Sequence, residues 1–229
     1  MASCGYQYPA EGGRCIRNSN SHPIHPTAPS GRTGIESYFM RFLTNELYHT
    51  YNRGNNRERI FFEKDNYLFF LKKIRIEVTP LADLLAYCLM PNHYHLLIRV
   101  KRVDGLNDEQ ISKRLSRKLG TLQSSYTQAI NKAHSRTGSL FQQGAKSKNL
   151  ESYGHICFHY IHQNPVLAGL CQRAEDWEFS SYRDYIGLRN GSLPSKAVAF
   201  ECLDVPSNIQ EFYRESRKGL TDKEIEGIR

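Results

Sequence analysis

Residues 81–100 constrain the fold more than any other part of the chain: LADLLAYCLM, then Pro91 and Asn92, then HYHLLIRV. Two apolar runs of strand length, separated by a Pro-Asn break, read as two buried strands joined by a short turn. Neither run approaches the roughly 18 consecutive apolar residues that a membrane helix needs. Strands apolar along their length need a core on which to pack. With 39% hydrophobic and 11% aromatic residues, the 229-residue chain can build one, which excludes a wholly disordered or collagen-like protein.

Periodicity supplies the remaining elements. LYHTYNRG, residues 47–54, reads as a first strand leading into the basic loop NRGNNRER. Asp65 ahead of Phe69, Phe70, Ile74 and Val78 predicts a capped helix over 65–78. Asn107 with Gln110 makes a capping-box pattern, and Ile111, Leu115, Leu119, Leu122, Tyr126 and Ile130 continue it as an amphipathic helix. GSLFQQGAKSK, residues 138–148, reads as a fourth strand or an ordered loop. A third helix is predicted over 150–163, with Tyr153, Ile156, Cys157, Tyr160 and Ile161 on one side and Pro165 as its stop.

This order predicts an α+β fold: an antiparallel-rich sheet of four or five strands with helices on one face, built on a ferredoxin-like split βαβ core. Residues 1–36 hold five of the 16 glycines and four of the nine prolines, so they read as a flexible leader. The core domain then spans 37–187, and 188–229 reads as a partly helical C-terminal extension.

The formal charge is +8, and residues 99–148, with eleven Lys or Arg against three acids, hold the whole surplus. Such a balance favours a polyanionic partner. The six cysteines (4, 15, 88, 157, 171 and 202) form no CxxC and no regular spacing, so they read as free thiols in a reducing compartment. The first residues carry neither a basic n-region nor an apolar h-region, so the expected location is cytoplasmic.

Chemistry concentrates in two places. His93 and His95 are two apart on a strand, so their side chains leave the same face with roots about 6.6 Å apart and can converge on one metal ion. The plainer alternative is a pair of ordinary surface or core histidines. On the third helix, Tyr160 and Asn164 lie at i and i+4, with Gln163 beside them. A carboxamide oxygen suits Mg²⁺ or Mn²⁺, and a tyrosine hydroxyl one turn away can attack a phosphate held on that ion. Against this, Tyr160 also falls on the apolar stripe, where it reads as a core aromatic. His155, His159 and His162 share a helical face and form an alternative metal cluster, though without a suitably spaced carboxylate. His162, like Gln163, is also a candidate metal or acid/base residue. His22 and His25 fall in the leader.

Four blocks occur in order: MPNHYHLLI (90–98), GSLFQ (138–142), YIHQNPVLAGL (160–170), and Trp177 followed by Ser180–Tyr182. Over about residues 44–187 they resemble the single-tyrosine HUH transposases, and among these the REP-associated tyrosine transposases of bacteria. The resemblance implies an HUH (RRM-like) core in which His93 and His95 are the metal ligands, Tyr160 is the nucleophile, and Asn164 is the helix-borne amide ligand. Gln163, one residue earlier, stays open as the alternative amide; one residue is a swing of about 100° on a helix. The resemblance further implies a Mg²⁺- or Mn²⁺-dependent DNA endonuclease and strand transferase. Tyr160 would attack a phosphodiester of single-stranded or hairpin (REP-like) DNA, leaving a 5′-phosphotyrosine link and a free 3′-hydroxyl.

Under that resemblance, Lys113, Arg114, Arg117 and Lys118 along one helix, Arg53, Arg57 and Arg59 in the first loop, and Lys146 and Lys148 would neutralise phosphates. The bland reading of such charge runs is a solvated helix face. Tyr51, Phe141 and Tyr94 would be available to stack on unpaired bases. A nucleoid-associated monomer is the favoured state, with a dimer as the alternative. Two other functions compete: a domesticated module that grips DNA or RNA without cutting, and an HxH metal phosphoesterase that uses water.

Overall fold

The Pro91–Asn92 hairpin forms between two antiparallel strands, and the rest of the sheet is assembled around it. The computed structural model describes residues 42–228. The expected leader, with Cys4, Cys15, His22 and His25, lies outside the described residues. In chain order the elements are β1 (Leu47–Arg53), α1 (Lys64–Glu77), β2 (Ala82–Met90), β3 (His93–Val100), α2 (Asp108–Ala133), β4 (Lys146–Asn149) and α3 (Gly154–Leu167). Four further helices follow: α4 (Tyr182–Tyr185), α5 (Lys196–Cys202), α6 (Ile209–Ser216) and α7 (Asp222–Ile228).

The sheet is antiparallel throughout, in the order β2-β3-β1-β4. Because β1 is placed between β3 and β4, each βαβ unit is split by a strand of the other, which is the ferredoxin-like arrangement expected from the element order. Met90 pairs with His93 across the two-residue turn. Pro91 O accepts the backbone N–H of Ile60 (2.8 Å) and Phe61 (3.0 Å), and Asn92 O accepts that of Gly54 (2.9 Å). The turn is thereby tied to the loop that follows β1.

Helices cover both faces of the sheet, not one. Tyr48, Leu84, Tyr94, Leu96 and Ile98 pack with Phe70 and Ile74 of α1 and with Leu115, Leu122 and Tyr126 of α2. Ala86, Cys88, Met90 and Leu97 pack on the opposite side with Cys157, Phe158, Tyr160 and Ile161 of α3, Phe212 of α6 and Ile228 of α7. The reason is in β2 and β3 themselves: both alternations of these central strands are apolar, so each face needs a cover. Residues 188–228, read from sequence as an appendage, supply part of that second cover.

Three local readings also change. The start of α1 is capped by Glu63 with Asn66, whose Oδ1 accepts the backbone N–H of Phe62 and Glu63, and Asp65 sits inside the first turn. The 138–148 segment is mostly loop, bridging Phe141 to Gly54 before β4 begins at Lys146. Pro165 lies within α3 and forfeits only one intrahelical bond. The helix ends instead at Gly169 (φ 68°), where Leu170 N–H reaches Pro165 O and Gly169 N–H reaches Val166 O, a Schellman motif. By contrast, the Asn107–Gln110 capping box of α2 forms as predicted, a cap worth about 1 kcal/mol.

α3 sits close to the sheet because Gly154 lets it. A Cβ there would lie 2.6 Å from Leu47 Cδ1 and 2.8 Å from Leu203 Cδ2. Its middle is held by Ser181, whose Oγ is 2.7 Å from His162 Nε2 and accepts the Tyr87 N–H of β2 at 2.9 Å. The Trp177 and Ser-Ser-Tyr block is thus a clamp, with the Trp177 indole donating to Leu89 O at 3.0 Å.

Candidate active site

On the face of the sheet covered by α3, strand alternation projects His93 and His95 from β3. The paired register brings Arg53 opposite His93 and Tyr51 opposite His95, both from β1. Lys146 and Lys148 project from the same face of β4, opposite Tyr51 and His49. α3 closes the site with Tyr160 and Asn164. The result is a cavity of about 630 Å³ whose walls include His49, Tyr51, Arg53, His93, His95, Gln142, Lys146, Tyr160, Asn164 and Ile225. One chain supplies all of them.

The aromatic rings pack closely. The His93 and His95 ring centroids are 5.0 Å apart, and the Tyr160 ring lies edge-on to His95 at 5.6 Å. Tyr160 is buried among the apolar residues of α3, as the core reading expects, and it also borders the cavity.

Hydrogen bonding assigns the ring nitrogens. Asn92 Nδ2 donates to Arg57 O at 3.0 Å, which fixes the amide orientation and leaves Oδ1 facing His93 Nδ1 at 2.6 Å. A carboxamide oxygen only accepts, so His93 Nδ1 carries the proton and Nε2 the lone pair. Burial, aided by the Arg53 charge, pulls the His93 pKa down to about 4, which keeps the ring neutral at pH 7. His95 Nδ1 is engaged by His49 Nε2 at 2.8 Å. On α3, Asn164 Nδ2 donates to Tyr160 O at 2.6 Å, which leaves Oδ1 as the amide acceptor.

Two imidazoles and an amide oxygen, each held by its other polar atom, are a donor set that fits a divalent cation. Among the described residues no group of three or more His, Cys, Asp or Glu side chains is arranged for a metal. The His155, His159 and His162 cluster is therefore not formed: His155 is exposed, whereas His159 and His162 are buried. Burial depresses the pKa of His162 well below the usual value, and the ring faces Ser181 and Phe158, away from the cavity. Gln163 also faces elsewhere, its Nε2 donating to Ser216 O and Lys218 O at 2.9 Å each.

The expected cations divide between the two faces of the sheet. Arg53 and Lys146 line the cavity, and Arg57 and Arg59 line a second cavity of about 370 Å³ that shares Met90, His93 and Ala168 with the first. Lys148 lies on the same sheet face, donating to Glu226 O at 3.0 Å. Lys113, Arg114, Arg117 and Lys118 are on α2, across the sheet from the cavity, with Lys113 paired to Glu109 (2.5 Å) and Lys118 to Glu77 (2.9 Å). Of the three aromatic candidates, Tyr51 borders the cavity with its ring partly exposed, while the Tyr94 and Phe141 rings belong to the core under α2.

Residues of the site not found from the sequence include one on β1 and one on α7. His49 stands on β1 beside His95, and Ile225 of α7 forms part of the wall. The alternation of His49, Tyr51 and Arg53 on one strand face is a usable signal for the first. Nothing in the local pattern of α7 marks the second. The four described cysteines are free thiols, and no described helix is long and apolar enough to cross a membrane.

No protein-family model matches the chain, and no curated protein matches it. Among solved structures, it is similar to a REP-associated tyrosine transposase bound to a REP hairpin, with a TM-score of 0.50 and 17% identity over 64% of this chain and 82% of that one. It also aligns with a candidate transposase from Deinococcus radiodurans R1, at a TM-score of 0.32 and 16% identity over 54% of this chain and 92% of that one. The first likeness establishes a shared fold.

Proposed function

We propose that this chain is a metal-dependent DNA transposase, a single-strand endonuclease and strand transferase that uses Tyr160 as its nucleophile. The observation that carries the reading is the meeting of Tyr160, His93, His95 and Asn164 in one cavity with Arg53 and Lys146 on its wall. The similar transposase is bound to a REP hairpin, which supports single-stranded or hairpin DNA as the partner.

Tyr160 Oη attacks the scissile phosphorus, forming a Tyr–O–P bond as the P–O3′ bond breaks. The phenolic proton passes to water, and the departing 3′ oxygen takes up a proton to become a hydroxyl. The strand downstream of the cut stays on Tyr160 through its 5′ phosphate. In strand transfer a 3′-hydroxyl attacks that phosphorus and the tyrosine oxygen leaves and is reprotonated, so one phosphodiester replaces another without ATP. A divalent ion held by His93, His95 and Asn164 would polarise the phosphate and offset its developing charge. The carboxamide oxygen and the phosphate suit Mg²⁺ or Mn²⁺ in this role.

The remaining residues bind and position. Arg53 and Lys146 neutralise phosphates at the cavity, and Arg57 and Arg59 continue the path into the second cavity. Tyr51 offers a ring for an unpaired base. α3 packs on the sheet of its own chain, and we read the protein as a monomer working on DNA at the nucleoid.

The test is to incubate the protein with Mn²⁺ or Mg²⁺ and a labelled hairpin oligonucleotide carrying single-stranded flanks, then run a denaturing gel. A covalent protein–DNA band, lost in Tyr160→Phe, is the expected result. Cleaved product with no covalent band would indicate water as the nucleophile. Salt-sensitive binding without cleavage under either metal would indicate a non-cutting binding module.

A further inference from the structure

His49 is almost fully buried, at 1% exposure, yet it is polar and lies outside the four blocks that carry the resemblance. Its Nδ1 lies 2.6 Å from the backbone carbonyl oxygen of Ile228, the last residue of α7. A carbonyl accepts and cannot donate, so His49 Nδ1 carries a proton. With the proton on Nδ1, Nε2 is the imidazole nitrogen that carries the lone pair and accepts. That nitrogen is 2.8 Å from His95 Nδ1, which must therefore carry its own proton and leave the lone pair on Nε2. The rings stack with centroids 5.0 Å apart and planes 21° from parallel.

We propose that His49 is a positioning residue that sets the tautomer and ring orientation of His95, with the Ile228 carbonyl as its anchor. The inference rests on the reading of His95 as a metal ligand and deepens it. His93 is handled in the same way by a different partner, Asn92 Oδ1, so in both rings Nδ1 is engaged by a protein group and the lone pair falls on Nε2. Partners of this kind, one bond removed from the metal, hold ligands in the right tautomer, and losing one costs about 10–100-fold in metal affinity. The relay also gives α7 a part in the site: it places the carbonyl on which the chain of two rings depends.

The experiment uses full-length protein with ¹⁵N-labelled imidazoles, metal-free, and reads the histidine tautomers from long-range ¹H–¹⁵N correlation spectra. Mn²⁺ affinity is measured separately by titration followed by electron paramagnetic resonance. In the wild type, His95 is expected to be protonated on Nδ1. His49→Phe, checked for folding by circular dichroism, is expected to shift His95 to the other tautomer or a mixture and to weaken Mn²⁺ binding by about 10–100-fold. His49→Gln, which offers an amide oxygen to His95 and an amide N–H to the Ile228 carbonyl, is expected to restore both. Finding His95 protonated on Nε2 in the wild type would overturn the proposal without any variant. So would an unchanged tautomer and unchanged Mn²⁺ affinity in folded His49→Phe. Neither readout involves DNA, so failure of the transposase reading would show separately, as the absence of cleavage by the wild type.

Discussion

The Tyr160 ring stands edge-on to His95 with centroids 5.6 Å apart, although one is carried by α3 and the other by β3 on the far side of α2 in sequence. Three devices produce that approach: Gly154 at the start of α3, the His162–Ser181 clamp at its middle, and the Schellman turn at its end. In Gly154→Val the Cβ falls within 3 Å of Leu47 Cδ1 and Leu203 Cδ2, so both leucine side chains must move. An overpacking cost of about 1–3 kcal/mol is expected in denaturant unfolding, with loss of adduct formation beyond that explained by the unfolded fraction. Unchanged stability and activity would mean that α3 does not need this close approach.

Of the two candidate amides Asn164 borders the cavity, whereas Gln163 turns away and donates from Nε2 to Ser216 O and Lys218 O. Asn164→Ala is expected to weaken Mn²⁺ binding at least tenfold. Gln163→Ala is expected to leave metal affinity within about twofold while lowering stability by about 1 kcal/mol through the lost bonds. Isothermal titration and urea unfolding of the two variants separate these outcomes.

The division of the cations predicts unequal effects on DNA. Arg53→Ala and Lys146→Ala should each weaken hairpin binding and lower the slope of log affinity against log salt by about 1. The double variant Arg114→Ala, Arg117→Ala, on the other side of the sheet, should leave both unchanged. Fluorescence anisotropy across a salt series reads this directly. An equal loss in the α2 variant would move the DNA path to that face.

Asp184 has no exposed side-chain surface, and its carboxylate is held by Arg189 Nε at 2.8 Å, an Arg189 terminal nitrogen at 2.6 Å and Gly191 N–H at 2.9 Å. Asp184→Ala leaves the Arg189 charge without its partner and is expected to destabilise the fold by about 3–5 kcal/mol. Chemical denaturation measures it, and a loss under 1 kcal/mol would contradict the assignment.

Burial lowers the His159 pKa to about 4 from its ordinary 6.5, despite the attraction of Glu215. A folded-state pKa below the unfolded value means that the unfolded chain binds the proton first as pH falls. The stabilisation is complete above pH 6.5 and is lost progressively as pH drops toward 4, by about 3 kcal/mol in all. His159→Phe should flatten that part of the stability–pH curve, as thermal melts between pH 4 and 7 would show.

The sequence made the hairpin and the long helix legible because each rests on local chemistry: Pro91 and Asn92 at a turn, Asn107 and Gln110 at a cap. It brought out His93, His95, Tyr160 and Asn164 because i, i+2 and i, i+4 spacings fix which side chains share a face. It did not reveal His49, whose importance comes from strand register and from a carbonyl in α7, neither of which leaves a periodic trace. It also set the basic residues of α2 beside the site because they lie between its two halves in the chain. Position along the chain is not position across a sheet, and β3 presents its histidines on the face that α2 does not cover.

The most direct measurement is to trap the protein with a hairpin oligonucleotide and Mn²⁺, digest the complex, and identify the nucleotide-bearing residue by tandem mass spectrometry. A 5′-phosphonucleotide on Tyr160, absent when His95 is replaced by alanine, is the expected result. A link on any other residue, or cleavage that leaves no residue modified, would contradict it.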